Sequence, residues 1–225
     1  MVAKVPVITV DGPSGSGKGT LAQRIAETLG WHFLDSGAIY RVLGLMVERA
    51  GISGDNVEKI TEMAKNMPLS FDRGMVLLAG EDVSGAIRTE TIGNAASKVA
   101  AIPQVREALL AWQRDYAKAP GLVADGRDMG TVVFPQAAVK IFLTASAEER
   151  AQRRYKQLKE KGLGVNLARL TEEIRERDER DSKRAVAPLI ASETAYQLDS
   201  TAMTIDEVYE QAMFNIGIAL PELQR

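Results

Sequence analysis

The feature that most restricts the fold of this chain is a short apolar run followed by a glycine-rich loop and then by an amphipathic stretch. Val5–Val10 is mostly β-branched and apolar, which predicts a buried strand. Gly19–Leu29 has the apolar spacing of a helix. The loop between them is Gly12-Pro13-Ser14-Gly15-Ser16-Gly17-Lys18-Gly19-Thr20. Strand, loop and helix in this order predict a phosphate-binding P-loop, and an ordinary glycine–serine loop is the alternative.

The composition of this loop fits the binding of phosphate groups. Its glycines let successive backbone N–H groups turn towards phosphate oxygens, and Lys18 supplies a positive charge for the outer phosphates. One residue departs from the general pattern, because Gly19 stands where Ser or Thr follows the lysine and Thr20 comes one position later. Thr20 is therefore a candidate magnesium ligand, and the alternative is an ion held by water and nucleotide phosphates, with no ligand from the protein.

The rest of the chain alternates short apolar runs with helical stretches, which predicts an α/β fold with a three-layer parallel sheet. Further core strands are expected at Trp31–Leu34, Leu122–Ala124, Val139–Leu143 and Tyr196–Leu198. Helices are expected at Ala38–Arg49, on both sides of Pro103, from Ser146, at Arg169–Arg184 and at Ile205–Ile218. Two short runs around Asp72-Arg73-Gly74 predict an antiparallel hairpin, so we interpret residues 67–90 as an insertion in the α/β core.

Composition excludes several classes of protein. The 225 residues contain 28 Lys and Arg against 30 Asp and Glu, which argues against a broad binder of nucleic acid or membrane surfaces. Without cysteine there is no disulfide or thiolate metal site, and the single His32 is interpreted as a packing residue beside Trp31. The N-terminal residues show no signal-peptide pattern, and no apolar run approaches the ~20 residues of a membrane span. We expect a monomer in the cytoplasm.

Arginine residues collect after predicted strands and along predicted helices. Arg41 follows the Asp35-Ser36-Gly37 turn, and Arg127 lies in Asp125-Gly126-Arg127-Asp128 directly after a strand. Others occupy two helices, at Arg150, Arg153 and Arg154 and at Arg177, Arg180 and Arg184. Because ligands of open α/β sheets bind at the carboxyl ends of strands, the pattern predicts a compact anion site. An acceptor that is itself a phosphate would need no general base, since its second pKa is about 6.

The charged helix near the C-terminus has two interpretations. Opposite charges four residues apart support a solvated helix face, which is the interpretation we favour for most of the run. Yet Arg177, Asp181 and Arg184 fall on one helical stripe. Asp181 is therefore expected to lie between two arginines, where a carboxylate can accept hydrogen bonds from ribose hydroxyls.

Several blocks of the sequence together resemble the bacterial cytidylate kinases, a family of nucleoside monophosphate kinases with a P-loop. They are Asp11–Thr20, Leu34–Arg41, Gly93–Ser97, Ala124–Thr131, Arg177–Asp181 and Arg184–Leu189. The resemblance spans nearly the whole chain in the family's order. It implies one kinase domain over residues 1–225, with a monophosphate-binding insertion at residues 67–90 and a short helical lid at residues 146–165.

The resemblance also implies a reaction and a set of residues. ATP and CMP or dCMP would give ADP and CDP or dCDP with Mg2+, in pyrimidine nucleotide metabolism and without a nucleic-acid or membrane partner. The loop Gly12–Thr20 would bind ATP, and the catalytic residues would be Lys18, Arg127, Arg150 and Arg154, with Arg153 beside the lid. The CMP-binding residues would be Ser36, Arg41 and Arg127 for the phosphate, Ser97, Arg106, Asp128 and Arg184 for the base, and Arg177 and Asp181 for the sugar.

Three alternatives stay open at this point. Asp128 is expected to accept the exocyclic amine of cytosine, which uracil lacks, but it would otherwise cap a helix or pair with an arginine. A kinase for a hydroxyl acceptor would use Asp35 or Asp128 as a base. A P-loop switch or assembly ATPase would act through partners, although the chain has no Asn/Thr-Lys-x-Asp motif for reading guanine.

Overall fold

Strands and helices alternate along the part of the chain that the computed structural model describes, which is residues 5–72, 74–160, 162 and 164–224. The strands are β1 (Val7–Asp11), β2 (His32–Asp35), β3 (Leu69–Asp72), β4 (Met75–Leu78), β5 (Glu81–Asp82), β6 (Leu122–Gly126), β7 (Val139–Thr144) and β8 (Tyr196–Asp199). The helices are α1 (Lys18–Leu29), α2 (Ser36–Arg49), α3 (Val57–Lys65), α4 (Glu90–Val99), α5 (Pro103–Arg114), α6 (Ala147–Glu160), α7 (Leu167–Ser182) and α8 (Ile205–Ala219). A five-residue π-helical turn covers Met129–Val133.

Five strands form the central sheet in the order β2-β6-β1-β7-β8. β1 pairs in parallel with both β6 and β7, and β7 pairs in parallel with β8. Every residue of β1 and β6 is buried, which is why both strands consist mainly of apolar residues before their final positions. The predicted parallel sheet with a P-loop after its first strand is therefore confirmed.

The central sheet packs against α1 and α8. Ile8 and Val10 of β1 belong to one buried cluster with Leu21 and Ile25 of α1 and Ile216 of α8. Burial of each such side chain contributes about 2 kcal/mol to stability. The apolar stripe of α1 thus faces the sheet, and this packing fixes the first turn of α1 behind the loop that follows β1.

Capping side chains set several helix starts. Thr204 and Glu207 form a capping box at α8, in which each accepts the backbone N–H of the other. Ser146 caps α6 as predicted, because its hydroxyl accepts the N–H of Glu149 at 3.2 Å. The side chain of Glu149 pairs with Arg153 instead of returning to the cap, so one half of the predicted capping box is formed.

The helix α7 is long and strongly charged. Asn166 caps its start by accepting the N–H of Arg169 at 3.0 Å. The helix ends at Ser182, so Arg184 lies beyond it, whereas the sequence predicts a helix that reaches Arg184. Among the helices of the described residues, none combines the length and the hydropathy that crossing a membrane requires.

The chain divides into two compact units. The first unit contains the residues up to Leu34 together with the chain from Tyr116 onward, and the second unit is Asp35–Asp115. The second unit holds α2 to α5 and a separate antiparallel sheet in the order β3-β4-β5. The residues 67–90, which the sequence predicts as an insertion, lie within this second unit.

The predicted hairpin in the second unit is confirmed, because β3 and β4 pair in antiparallel register with Asp72 opposite Met75. Two neighbouring elements have weak sequence signals, and the sequence analysis predicts neither. β5 has two exposed charged residues and no apolar one. α3 buries only Ile60 and Ala64, and Asn56 caps its start by accepting the N–H of Lys59.

Gly121 offers a test of packing at the edge of the central sheet. Its carbonyl oxygen accepts the N–H of His32 at 2.9 Å, and the His32 ring donates to the carbonyl oxygen of Ala119. A Cβ atom at position 121 would lie 2.3 Å from Cδ2 of Trp31. We expect Gly121→Ala to lower the free energy of unfolding by about 2 kcal/mol in urea denaturation, because the backbone or the ring must move.

Two controls separate this clash from other effects of the substitution. Gly54→Ala should change the free energy of unfolding by less than ~0.5 kcal/mol, since no atom lies within 4 Å of the added Cβ. In a Trp31→Ala background, Gly121→Ala should cost little, because the ring that the methyl group meets is gone. An equal cost with and without Trp31 would contradict this description of the packing.

Candidate active site

The loop predicted to bind phosphate lies between β1 and α1. Gly17 precedes the first residue of α1 in a left-handed conformation (φ 94°) and, as glycine, has no side chain to accept the first N–H groups of the helix. These N–H groups and the positive end of the helix dipole face the region where an anion would bind. Gly12 is required for a different reason, since a Cβ atom there would lie 2.0 Å from the carbonyl oxygen of Leu143.

Lys18 and Asp125 meet at the start of α1. Lys18 is buried, and its Nζ donates to the carbonyl oxygen of Pro13 at 3.3 Å and lies 3.9 Å from Oδ1 of Asp125. Asp125 reaches this place on β6, where it is the register partner of Val10 on β1. A Cβ atom on Gly19 would approach Oδ2 of Asp125 to 3.2 Å, which accounts for glycine after the lysine. The sequence analysis does not name Asp125 as a site residue, although its position directly after an apolar run is a signal.

Arg150 of α6 binds the backbone of this loop. Its Nη1 donates to the carbonyl oxygen of Ser14 at 3.0 Å, and its Nε donates to the carbonyl oxygen of Ala145 at 2.9 Å. The same guanidinium pairs with both carboxylate oxygens of Asp178 on α7. Arg150, which the resemblance assigns to the lid and to catalysis, is thus held against the loop by a carboxylate that the sequence analysis does not single out.

Arg153 makes a second link to the loop. It donates to the carbonyl oxygen of Ser16 at 3.3 Å and to the carbonyl oxygen of Ser200 at 2.6 Å. In a trans peptide the C=O and N–H groups point in opposite directions. Since donors from α6 bind the carbonyl oxygens of Ser14 and Ser16, the N–H groups of the same peptide units point away from α6. Arg154, on the same helix, donates to Oε1 of Gln157 at 3.4 Å.

Asp181 is clamped by two arginines. Arg127 Nε donates to Oδ2 at 2.9 Å, and Arg184 Nη2 donates to Oδ1. The side chain of Asp181 is 1 % exposed and that of Arg184 is 4 % exposed, so the cluster is shielded from water. Asp181 thus lies between two arginines, Arg184 and Arg127, the latter directly after β6. The prediction that Arg184 lies on one helical stripe with Arg177 and Asp181 is wrong, because α7 ends before Arg184.

The charge balance of this cluster keeps Asp181 ionised. Burial alone would raise the pKa of Asp181, but the positive charges of Arg127, Arg184 and Arg177 outweigh burial and lower the pKa well below its usual range. Burial opposes the charged form of Arg127 as well, and the carboxylate of Asp181 reverses that effect and raises the pKa of Arg127. Two guanidinium groups thus share the one buried carboxylate of Asp181.

Asp128 directly follows Arg127 in the chain and is buried. Its carboxylate does not cap the π-helical turn that follows it. The first N–H groups of that turn bind another residue: Met129 and Gly130 donate to the two carboxylate oxygens of Asp11 at 2.8 and 2.7 Å. The helix-cap interpretation of Asp128 is therefore wrong. Burial raises the pKa of Asp11 to about 7, although both N–H groups and the charge of Lys18 act to lower it.

The remaining predicted residues belong to the second unit. Ser36 is the buried first residue of α2, and Arg41 on the same helix donates to the carbonyl oxygen of Ile87 at 2.8 Å. Ser97 is buried on α4. Arg106 is buried on α5, where it donates to the carbonyl oxygen of Ala100 at 3.1 Å and lies 5.5 Å from the centre of the Tyr40 ring. Asp35, the alternative base, caps α2 by accepting the N–H of Ala38.

The lowered pKa of Asp181 predicts how acid affects the clamp. The folded state gains stability from the ionised carboxylate above the unfolded pKa of 3.8 and loses it as the pH falls further. At pH 7 we expect Asp181→Asn to lower the free energy of unfolding by about 3 kcal/mol, because buried arginines lose their charge partner. The difference between wild type and variant should shrink by about 1 kcal/mol at pH 3, since Asp181 of the unfolded wild-type chain takes up a proton there while the folded state keeps it ionised.

Urea denaturation at both pH values measures this difference directly. Asp206→Asn is the matched control, because Asp206 pairs with Arg24 at the surface, where such pairs contribute about 0–1 kcal/mol. A cost of Asp181→Asn that is the same at pH 7 and pH 3 would contradict the clamp.

Comparison with known proteins gives the family. The family model described as cytidylate kinase matches residues 8–217. A protein named cytidylate kinase from Aeromonas salmonicida (strain A449) is 62% identical over 212 residues, which are 92% of each chain. One of the same name from Stutzerimonas stutzeri (strain A1501) is 58% identical over 223 residues, 96% of this chain and 97% of that one.

A solved structure of an uncharacterized protein from Eubacterium ventriosum ATCC 27560 is similar in fold, with a TM-score of 0.53 at 10% identity. The alignment covers 94% of this chain and 98% of that one, and it supports the fold alone. The match to the family model covers most of the residues from β1 to α8, including the P-loop, the turn after β6 and the charged α7. The chain belongs to the cytidylate kinase family.

Proposed function

We propose that this chain transfers the terminal phosphoryl group of ATP to CMP or dCMP and releases ADP and CDP or dCDP. The observation that carries the proposal is the combination, within the first unit, of the phosphate-binding loop with the Arg127–Asp181–Arg184 cluster, whose carboxylate is buried. The loop and Arg127 directly follow β1 and β6, which pair in parallel, so both lie at the carboxyl edge of the sheet, where α/β proteins bind ligands. Family membership supports CMP as the acceptor.

The loop Gly12–Thr20 would bind the phosphates of ATP. The N–H groups at the start of α1 and the charge of Lys18 suit the phosphate oxygens, and the bonds from Arg150 and Arg153 hold the loop in this conformation. Because phosphoryl transfer depends mainly on positioning and on charge neutralisation, a loop that is rigid before ATP binds lowers the barrier.

Mg2+ fits the start of α1. Among the described residues there is no group of three or more acidic, histidine or cysteine side chains that could hold a metal alone. The carboxylate of Asp125, which approaches α1 where Gly19 has no side chain, and the hydroxyl of Thr20 would supply oxygen ligands beside those of ATP and water. When bound, Mg2+ would neutralise part of the charge on the phosphates.

Each unit, taken by itself, carries residues that we assign to the binding of CMP. In the first unit we assign Arg127 to the phosphate, Asp128 and Arg184 to the base, and Arg177 and Asp181 to the sugar. In the second unit we assign Ser36 and Arg41 to the phosphate, and Ser97 and Arg106 to the base. Aspartate accepts a hydrogen bond from the exocyclic amine of cytosine and arginine donates to the ring acceptors, so the residue types match this base.

The reaction needs no general base. The phosphate of CMP is largely ionised near neutral pH, since its second pKa is about 6. Asp35, one of the two bases that a hydroxyl acceptor could use, caps α2, and the other, Asp128, is assigned to the base of CMP. This use favours a phosphate acceptor over a sugar or metabolite hydroxyl.

The developing charge would be met by positive side chains. Lys18 and Arg127 are assigned to the transferred group, together with Arg150 and Arg154 of α6. Arg150 would have to exchange Asp178 for phosphate oxygens when it takes this role, because the carboxylate occupies its guanidinium in this structure. We also propose that the enzyme is a monomer that works in the cytoplasm.

A coupled assay with ATP and a panel of CMP, dCMP, UMP and AMP tests the proposed reaction. We expect CMP and dCMP to be phosphorylated most efficiently. Lys18→Ala should reduce kcat by a factor of about 10²–10³, because a preorganised charge on the transition state is lost. Lys183→Ala is the control, since Lys183 pairs with Glu179 in an exposed bridge. Turnover of a different acceptor in place of CMP, or full activity without Lys18, would count against the proposal.

The role assigned to Asp128 predicts a change in base selection. Asp128→Ala should reduce the ratio of kcat/KM for CMP to that for UMP by about 10- to 100-fold, because uracil has a carbonyl where cytosine has the amine. Steady-state kinetics with both nucleotides at saturating ATP measure this ratio, and Asp128→Asn provides a variant of similar volume. An unchanged ratio in both variants would show that Asp128 does not read the base.

A further inference from the structure

Both carboxylate oxygens of Asp11 accept hydrogen bonds from backbone N–H groups. Asp11 is the last residue of β1 and is 5 % exposed. Its Oδ1 accepts the N–H of Met129 at 2.8 Å, and its Oδ2 accepts the N–H of Gly130 at 2.7 Å. These two hydrogen bonds connect positions that are more than a hundred residues apart in the chain.

The segment that Asp11 holds follows Asp128 directly. This segment is the π-helical turn Met129–Val133. The carbonyl oxygen of Asp128 accepts the N–H groups of Val132 and Val133 at 2.9 and 3.1 Å. The first N–H groups of such a turn have no acceptor within the turn itself. Because Asp11 supplies both acceptors from the neighbouring strand, the side chain of Asp128 is not needed as the cap.

The close approach of the two segments depends on Gly130. A Cβ atom at this position would lie 2.8 Å from Oγ1 of Thr9 and 3.3 Å from Oδ2 of Asp11. Thr9 and Asp11 are two residues apart on β1, so their side chains lie on the same face of the sheet. The glycine therefore brings its N–H within hydrogen-bond distance of the strand, and the position of the turn is fixed by β1.

We propose that Asp11 is a positioning residue for the selection of cytosine, because its carboxylate fixes the backbone that carries Arg127 and Asp128. The proposal rests on the proposed function, in which Asp128 reads the base and Arg127 binds the phosphate of CMP. Asp11 itself touches no substrate in this scheme. It acts through the two N–H groups, and a small displacement of a positioned group is enough to impair the reaction.

The test compares Asp11→Asn with Glu207→Gln. The first change replaces one acceptor by an amide N–H2 group that faces a backbone N–H, and the turn after Asp128 loses one of its two anchors. The second makes the same chemical change in the capping box of α8, where Glu207 accepts the N–H of Thr204 at 2.7 Å. Asp11→Ala removes both anchors, and the Asn variant keeps the test valid where the Ala variant does not fold.

We expect Asp11→Asn to reduce the CMP-to-UMP ratio of kcat/KM by about tenfold and to raise KM for CMP more than KM for ATP. Glu207→Gln should leave the ratio unchanged. A merely structural role of Asp11 would lower the stability of the protein or its total activity without changing the ratio, and that result would overturn the inference. A wild-type protein that does not phosphorylate CMP or dCMP would overturn the proposed function, and this inference with it.

Discussion

The parallel pairing of β1 with β6 determines where chemistry can take place in the first unit. Its register puts Asp11 opposite Gly126, so the loop after β1 and the segment after β6 leave the sheet side by side. The contact of Lys18 with Asp125 and the bonds of Asp11 to the turn after β6 both depend on this pairing. A shift of one residue in register would turn every side chain of β1 to the other face and separate the loop from these partners.

Ion pairs between arginine and aspartate side chains stabilise the same region. Arg150 pairs with Asp178, and Arg127 and Arg184 pair with Asp181. A guanidinium that is removed from water loses hydrogen bonds, which carboxylate or carbonyl oxygens must replace. These arginines bind such oxygens within the protein. Their positions are therefore set before any nucleotide binds. In the proposed function, a phosphate group would therefore have to compete with the carboxylate that each arginine already binds.

The sequence predicts the elements whose signal is local. Val7–Asp11 and α1 follow from an apolar run and from helical spacing, and the hairpin at β3 and β4 follows from a turn between two apolar runs. β5 and α3 lack such signals because they bury little. The links across the site are not local: neither the bond from Asp11 to Gly130 nor the one from Arg153 to Ser200 leaves a pattern in the sequence. The binding and catalytic roles assigned to the residues of both units, from Lys18 and Arg127 to Ser97 and Arg106, stay predictions, because contacts within the protein do not identify a ligand.

Gly19 leaves room at the start of α1 for the carboxylate of Asp125 near the end of β6. A hydroxyl-bearing side chain after the lysine and a carboxylate at the end of β6 crowd each other, since the missing Cβ would stand 3.2 Å from Oδ2 of Asp125. A side chain at position 19 would therefore displace this carboxylate by a few tenths of an ångström, so a change of the loop towards the general P-loop sequence should also move the acidic partner of Lys18.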